Sequence, residues 1–75
     1  PFQDVLKLKL ANFKEEYIEI SIYNTLGQVI YYQKEFYQKG KNKLNIITQN
    51  WNSGTYFVQI KNQTKVITKK IFKLF

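Results

Sequence analysis

The feature that most limits what this chain can fold into is alternation with a period of two. It is cleanest in Tyr17–Tyr23, where Ile18, Ile20 and Ile22 fall on one side and Glu19 and Ser21 on the other. Successive side chains of a strand point to opposite faces, so this spacing predicts a half-buried β-strand. The pattern recurs in Val5–Leu10, with Leu6, Leu8 and Leu10 opposed to Lys7 and Lys9, and in Lys43–Thr48, with Leu44 and Ile46 inward. Thr55–Lys61 sets Tyr56, Val58 and Ile60 against Phe57 and Gln59. Gln28–Phe36, β-branched and aromatic, predicts one more strand. In Thr64–Phe75 the neighbours Val66 and Ile67 interrupt the alternation, which predicts a final strand with a bulge or a change of face. No segment carries a helical period.

Between these runs lies turn chemistry. Asn24-Thr25-Leu26-Gly27 predicts a hairpin loop of about four or five residues, with Gly27 at positive φ. Asn12–Glu16 reads as a polar connection, Gln38–Asn42 as a turn around Gly40, and Asn62-Gln63 as a tight turn. In the polar loop Gln49–Gly54, Trp51 is expected to plug one end of the core, because tryptophan is usually largely buried. Gly54 is expected to release the chain into the next strand where a Cβ would crowd Trp51 or Tyr56. Tyr31 and Tyr32 fall on opposite faces, so at least one reaches solvent. The expected core is Ile18, Ile20, Ile22, Tyr56, Val58 and Ile60. The whole points to one small antiparallel sandwich or barrel spanning residues 1–75.

Composition narrows the chemistry. The chain has no cysteine and no histidine, which removes disulfides and Cys- or His-based metal sites. The five acids, Asp4, Glu15, Glu16, Glu19 and Glu35, include no pair placed for acid–base work, and one aspartate is too few for a calcium loop. Ser21 and Ser53 have no histidine to activate them. No phosphate-binding glycine motif is present. The expectation is a domain with no catalytic residue, no metal and no cofactor. The longest fully apolar run, Val29–Tyr32, is far too short to span a bilayer, so no transmembrane segment is expected. The chain opens on Pro1 without a signal-peptide apolar segment, which reads as a piece of a larger protein.

The net charge of +7 is unevenly placed. Residues 1–35 carry four lysines against five acids, whereas residues 36–75 carry eight lysines and no acid. Arginine, the preferred residue for bidentate phosphate and guanine contacts, is absent. The lysines therefore read as a solvated basic face, and no nucleic-acid partner is expected. A basic barrel for single strands would need a continuous lysine groove lined by aromatic faces. A carbohydrate-binding or other accessory module of a secreted enzyme would need an exposed coplanar aromatic row.

With these residues located, the chain resembles the C-terminal sorting domains of the bacterial type IX secretion system, of the common cleavable type. The segment Pro1–Leu8 looks like the first strand of that family, lacking the start of its Pro-Asn-Pro opening. Tyr23, Asn24, Gly27, Gln28 and Val29 match its strand-ending Tyr-Asn turn and Gly-Gln-Val. Gly40 stands before a short strand, Ser53, Gly54, Tyr56, Phe57 and Val58 match its Ser-Gly-x-Tyr-Phe-Val strand, and Lys69–Lys73 its closing lysine-containing strand. Trp51 stands where the family usually carries leucine. The resemblance implies an immunoglobulin-like antiparallel β-sandwich of about seven short strands, monomeric, in which Tyr23, Asn24, Gly27, Gln28, Gly40, Gly54 and Tyr56 form a structural motif. It implies passage through the periplasm, then secretion or display at the cell surface. The implied partners are the type IX translocon, the shuttle proteins of the outer membrane and a sortase-like cysteine protease that cleaves the domain off. Much of the export information is expected in the last strand, at Lys69, Lys70, Ile71, Phe72 and Lys73.

Overall fold

A computed structural model of the chain describes residues 1–12 and 14–75. Phe13, within the connection expected at Asn12–Glu16, lies outside the described residues. Six strands follow in order: β1 (Val5–Asn12), β2 (Glu16–Tyr23), β3 (Val29–Tyr37), β4 (Gly40–Ile47), β5 (Gly54–Lys61) and β6 (Val66–Lys73). The described residues thus hold six strands, where about seven were expected. All pairings between strands are antiparallel. They make a two-stranded sheet, β1-β4, and a four-stranded sheet in the order β3-β2-β5-β6. None of the described residues is helical. The architecture is all-β and sandwich-like.

One core joins the two sheets. The four-stranded sheet supplies Ile18, Ile20, Ile22, Tyr37, Tyr56 and Val58, and the two-stranded sheet supplies Leu6, Leu10 and Ile46. Leu8, Leu44, Ile60 and Ile71 pack half-buried against it. The period-two positions therefore do what their spacing predicts, and Ile20 and Ile22 are fully enclosed. Tyr31 is half-buried and Tyr32 exposed, as their opposite faces require. Ser21 departs from its expected exposure. It lies on the outer face, yet it is buried because β2 is an interior strand and Ser21 sits between Tyr32 of β3 and Gln59 of β5.

A second departure concerns β6. Its register with β5 runs without a shift from Lys61↔Val66 to Gly54↔Lys73. Val66 and Ile67 need no bulge: on an edge strand one faces the outside and the next faces inward, and both stay exposed. The register shift in this molecule falls instead between Ile22 and Tyr23, where the β2–β3 hairpin closes.

The loops are held by short-range hydrogen bonds. Asn24 organises the β2–β3 connection: its Oδ1 accepts from the amides of Leu26 and Gln28, both at 3.0 Å, and its Nδ2 donates to Gln28 Oε1 at 2.7 Å. Gly27 closes this turn at φ 80°, donating its amide to the Asn24 carbonyl. Asn62 plays the same part in the β5–β6 turn, accepting from the amides of Thr64 and Lys65. Gly54 takes φ 137°, but nothing lies within 4 Å of a Cβ placed there. Backbone conformation, not crowding against Trp51 or Tyr56, is what asks for glycine.

Candidate functional site

The strand that the sequence singles out, Lys69–Lys73, is the edge of the four-stranded sheet. Residues paired directly in an antiparallel ladder share a face. Lys69 pairs with Val58 and Ile71 with Tyr56, so both point to the inner side, while Lys70 and Phe72 point outward with Phe57 and Thr55. Lys70 and Phe72 stand side by side, the ammonium 5.6 Å from the ring centroid. Lys69, Lys70 and Phe72 are exposed and Ile71 is half-buried.

Lys73 does not belong to that exposed set. It is only 4% exposed, and its Nζ donates to the Leu74 carbonyl at 2.6 Å. Its register partner is Gly54, which has no side chain to occupy the inner face there. Lys73 thus has the burial of a packing residue.

The far end of β6 is tied to the start of the chain. Phe2 forms a parallel bridge with Lys73: its amide donates to the Phe72 carbonyl at 2.9 Å, and its carbonyl accepts from the Leu74 amide at 2.7 Å. Phe2 is buried against Trp51 and Tyr56, with ring centroids 6.1 and 6.3 Å away. Trp51 and Tyr56 are 5.1 Å apart, and the Tyr56 hydroxyl donates to the Asn52 carbonyl at 2.7 Å. This aromatic trio closes one end of the core, the place expected for Trp51. Thr48 completes the corner. It is fully buried, its Oγ1 donates to the Gln3 carbonyl at 2.7 Å, and its amide donates to the Asp4 carbonyl at 2.8 Å. Sequence reading missed both Thr48 and Phe2, since neither a threonine ending a strand nor an aromatic near a terminus carries a distinctive signal.

The remaining motif residues lie apart from the β6 edge. Tyr23, Asn24, Gly27 and Gln28 build the β2–β3 hairpin, Gly40 opens β4 opposite Asn12, and Gly54 and Tyr56 belong to β5. None of the described aromatic pairs is coplanar: Tyr17 and Phe36, on the outer face, meet edge-on at 70°. The row that a sugar platform would need is therefore absent from the described aromatic pairs. Among the described residues, no cluster of acids is gathered that would hold a metal ion, and no helix is long and apolar enough to cross a membrane.

The fold defines a small all-β, sandwich-like domain whose sixth strand is a basic, hydrophobic edge. The family model of the secretion system C-terminal sorting domain matches residues 1–73, and the chain belongs to that family, the C-terminal sorting signals of type IX secretion. Its cargo is accordingly a secreted or cell-surface protein. No curated protein and no solved structure matches the chain at a significant level.

Proposed function

We propose that the domain acts without catalysis of its own, as the part of a cargo protein that the type IX translocon and its shuttle proteins grip, and that the exposed β6 edge is the grip. It carries the cargo across the periplasm to the outer membrane, and a sortase-like cysteine protease then removes it at the cell surface. The observation that supports this reading is that the family match coincides with an edge strand left open along most of its length. An unpaired edge offers backbone groups for pairing, and soluble proteins normally protect such edges.

The test is export of a reporter carrying residues 1–75 at its C-terminus, in a host with a working type IX system. The intact fusion should leave the cell. Changing Lys69 and Lys70 to glutamine should keep the fold, because both are exposed and surface changes usually cost within about 0.5 kcal/mol, and should leave the reporter in the periplasm. Full export of a well-folded Lys69→Gln/Lys70→Gln variant would remove the charges from the recognition surface. Failure of the intact fusion, while the host exports its own cargo, would refute the sorting role of this chain.

A further inference from the structure

Four strands face two in this sandwich, so the smaller sheet leaves part of the larger one uncovered. On the β6 side this leaves a cleft of about 540 Å³ between the second half of β1 and the β5–β6 hairpin. Its floor is apolar, formed by Leu10, Ile18, Ile60 and Ile67. Lysines 9, 14, 65 and 69 also line it, against one acid, Glu16. The edge of β6 runs alongside, because Ile67 and Lys69 belong to that strand.

Phe2 gives this edge a direction. Its bridge to Lys73 is one rung of a parallel ladder already in place at the end of β6. Antiparallel ladders alternate hydrogen-bonded and open pairs. Since the Phe72 carbonyl and the Leu74 amide turn toward Phe2, the amides of Thr68, Lys70 and Phe72 turn away from β5 along the same edge. Among the described residues they have no strand beside them.

We infer that this seam accepts a strand from a partner protein: an extended acidic peptide that continues the Phe2 rung, parallel to β6. Its apolar side chains face inward onto the floor, and its carboxylates, which alternate to the outer face of the added strand, meet Lys70. Charge selects the occupant. A second copy of this chain would bring its own lysine-rich β6, and lysine opposite lysine is destabilising. An acidic strand turns Lys70 into a partner. The inference gives the chemistry of the partner at the β6 edge and rests on the reading of that edge as the grip.

The probe is a capped eight-residue peptide of alternating valine and glutamate, titrated into the 75-residue chain and followed by amide NMR and hydrogen exchange. The matching valine–lysine peptide is the control. The acidic peptide should slow exchange at Thr68, Lys70 and Phe72 by about tenfold or more, as newly bonded amides are protected, and the basic peptide should not. Lys70→Glu should weaken the acidic peptide about fivefold, the scale of one exposed ion pair, and Lys70→Gln, which removes the charge without reversing it, provides a second variant if the first is poorly folded. Equal binding of both peptides, protection along β3 instead of β6, or shift changes without protection of those three amides would each overturn the inference. Because the assay contains no translocon, its failure leaves the export result standing, and the reverse also holds.

Discussion

Single residues carry much of the turn geometry. Asn24 makes three side-chain hydrogen bonds within one hairpin loop, and Gly27 supplies its left-handed residue. Asn24→Ala should lower stability by about 1–2 kcal/mol, through bonds each worth about 0.5–1.5 kcal/mol. Gly27→Ala should cost about 1 kcal/mol or more. Nothing crowds a Cβ at this position, so the cost is backbone strain alone. Urea unfolding of the two variants checks both, and an unchanged midpoint for Gly27→Ala would contradict the strain argument. Tyr37 behaves oppositely. Its hydroxyl is buried without a hydrogen-bond partner among the described residues. Burial first, then the nearby Glu35 carboxylate and Tyr31, pushes its pKa above the usual tyrosine value. Burial and Glu35 push Tyr31 the same way. A phenol whose folded-state pKa is raised leaves stability at its full value below its unfolded pKa near pH 10, and stability is lost as pH climbs from there through the folded value, because only the unfolded chain ionises freely. Alkaline unfolding above about pH 10 should therefore become shallower in Tyr37→Phe. At neutral pH the same variant should be as stable as the parent or more so, by up to about 1 kcal/mol, since it removes an unsatisfied polar group.

At the scale of elements, β6 divides its lysines between two jobs. Lys69 and Lys70 are exposed on opposite sides of an edge strand, while Lys73 is packed inside opposite Gly54. Lys73→Gln should lower the urea midpoint measurably, whereas Lys69→Gln/Lys70→Gln should not. Equal midpoints for the two variants would show that the Lys73 stem contributes no packing. The sequence exposed the strands well, because period-two alternation is a direct image of a sheet with one face buried. It showed the hairpin equally well, since Asn and Gly are demanded by turn conformation. It could not distinguish Lys73 from Lys69 and Lys70. Three lysines look alike in a chain, and only register against β5 reveals which one faces an empty position. Likewise, adjacent Val66 and Ile67 read as a bulge or a change of face because sequence does not tell an edge strand from an interior one. Ser21 shows the converse: a polar residue on the outer face becomes buried when strands lie on both sides of it.

For the molecule as a whole, stability rests on one small core shared by two sheets of unequal width. A chain of 75 residues buries a modest fraction of its surface, so each core side chain matters. Ile20 has no exposure at all. Its replacement by alanine should cost about 2–5 kcal/mol, a large share of the 5–15 kcal/mol typical of a folded domain. Thermal melting followed by circular dichroism measures it, and a variant that melts like the parent would contradict the enclosed position of Ile20.

The rung between Phe2 and the Phe72–Leu74 segment also has a mechanical meaning. The first residues of the chain and the last strand run in the same direction there. Tension applied to the two ends would slide them past each other and load both hydrogen bonds together, instead of unzipping one and then the next. A load hung from the first residue and a pull on the last would meet at this one small clasp. The rest of the sandwich would stay slack until the clasp gave way.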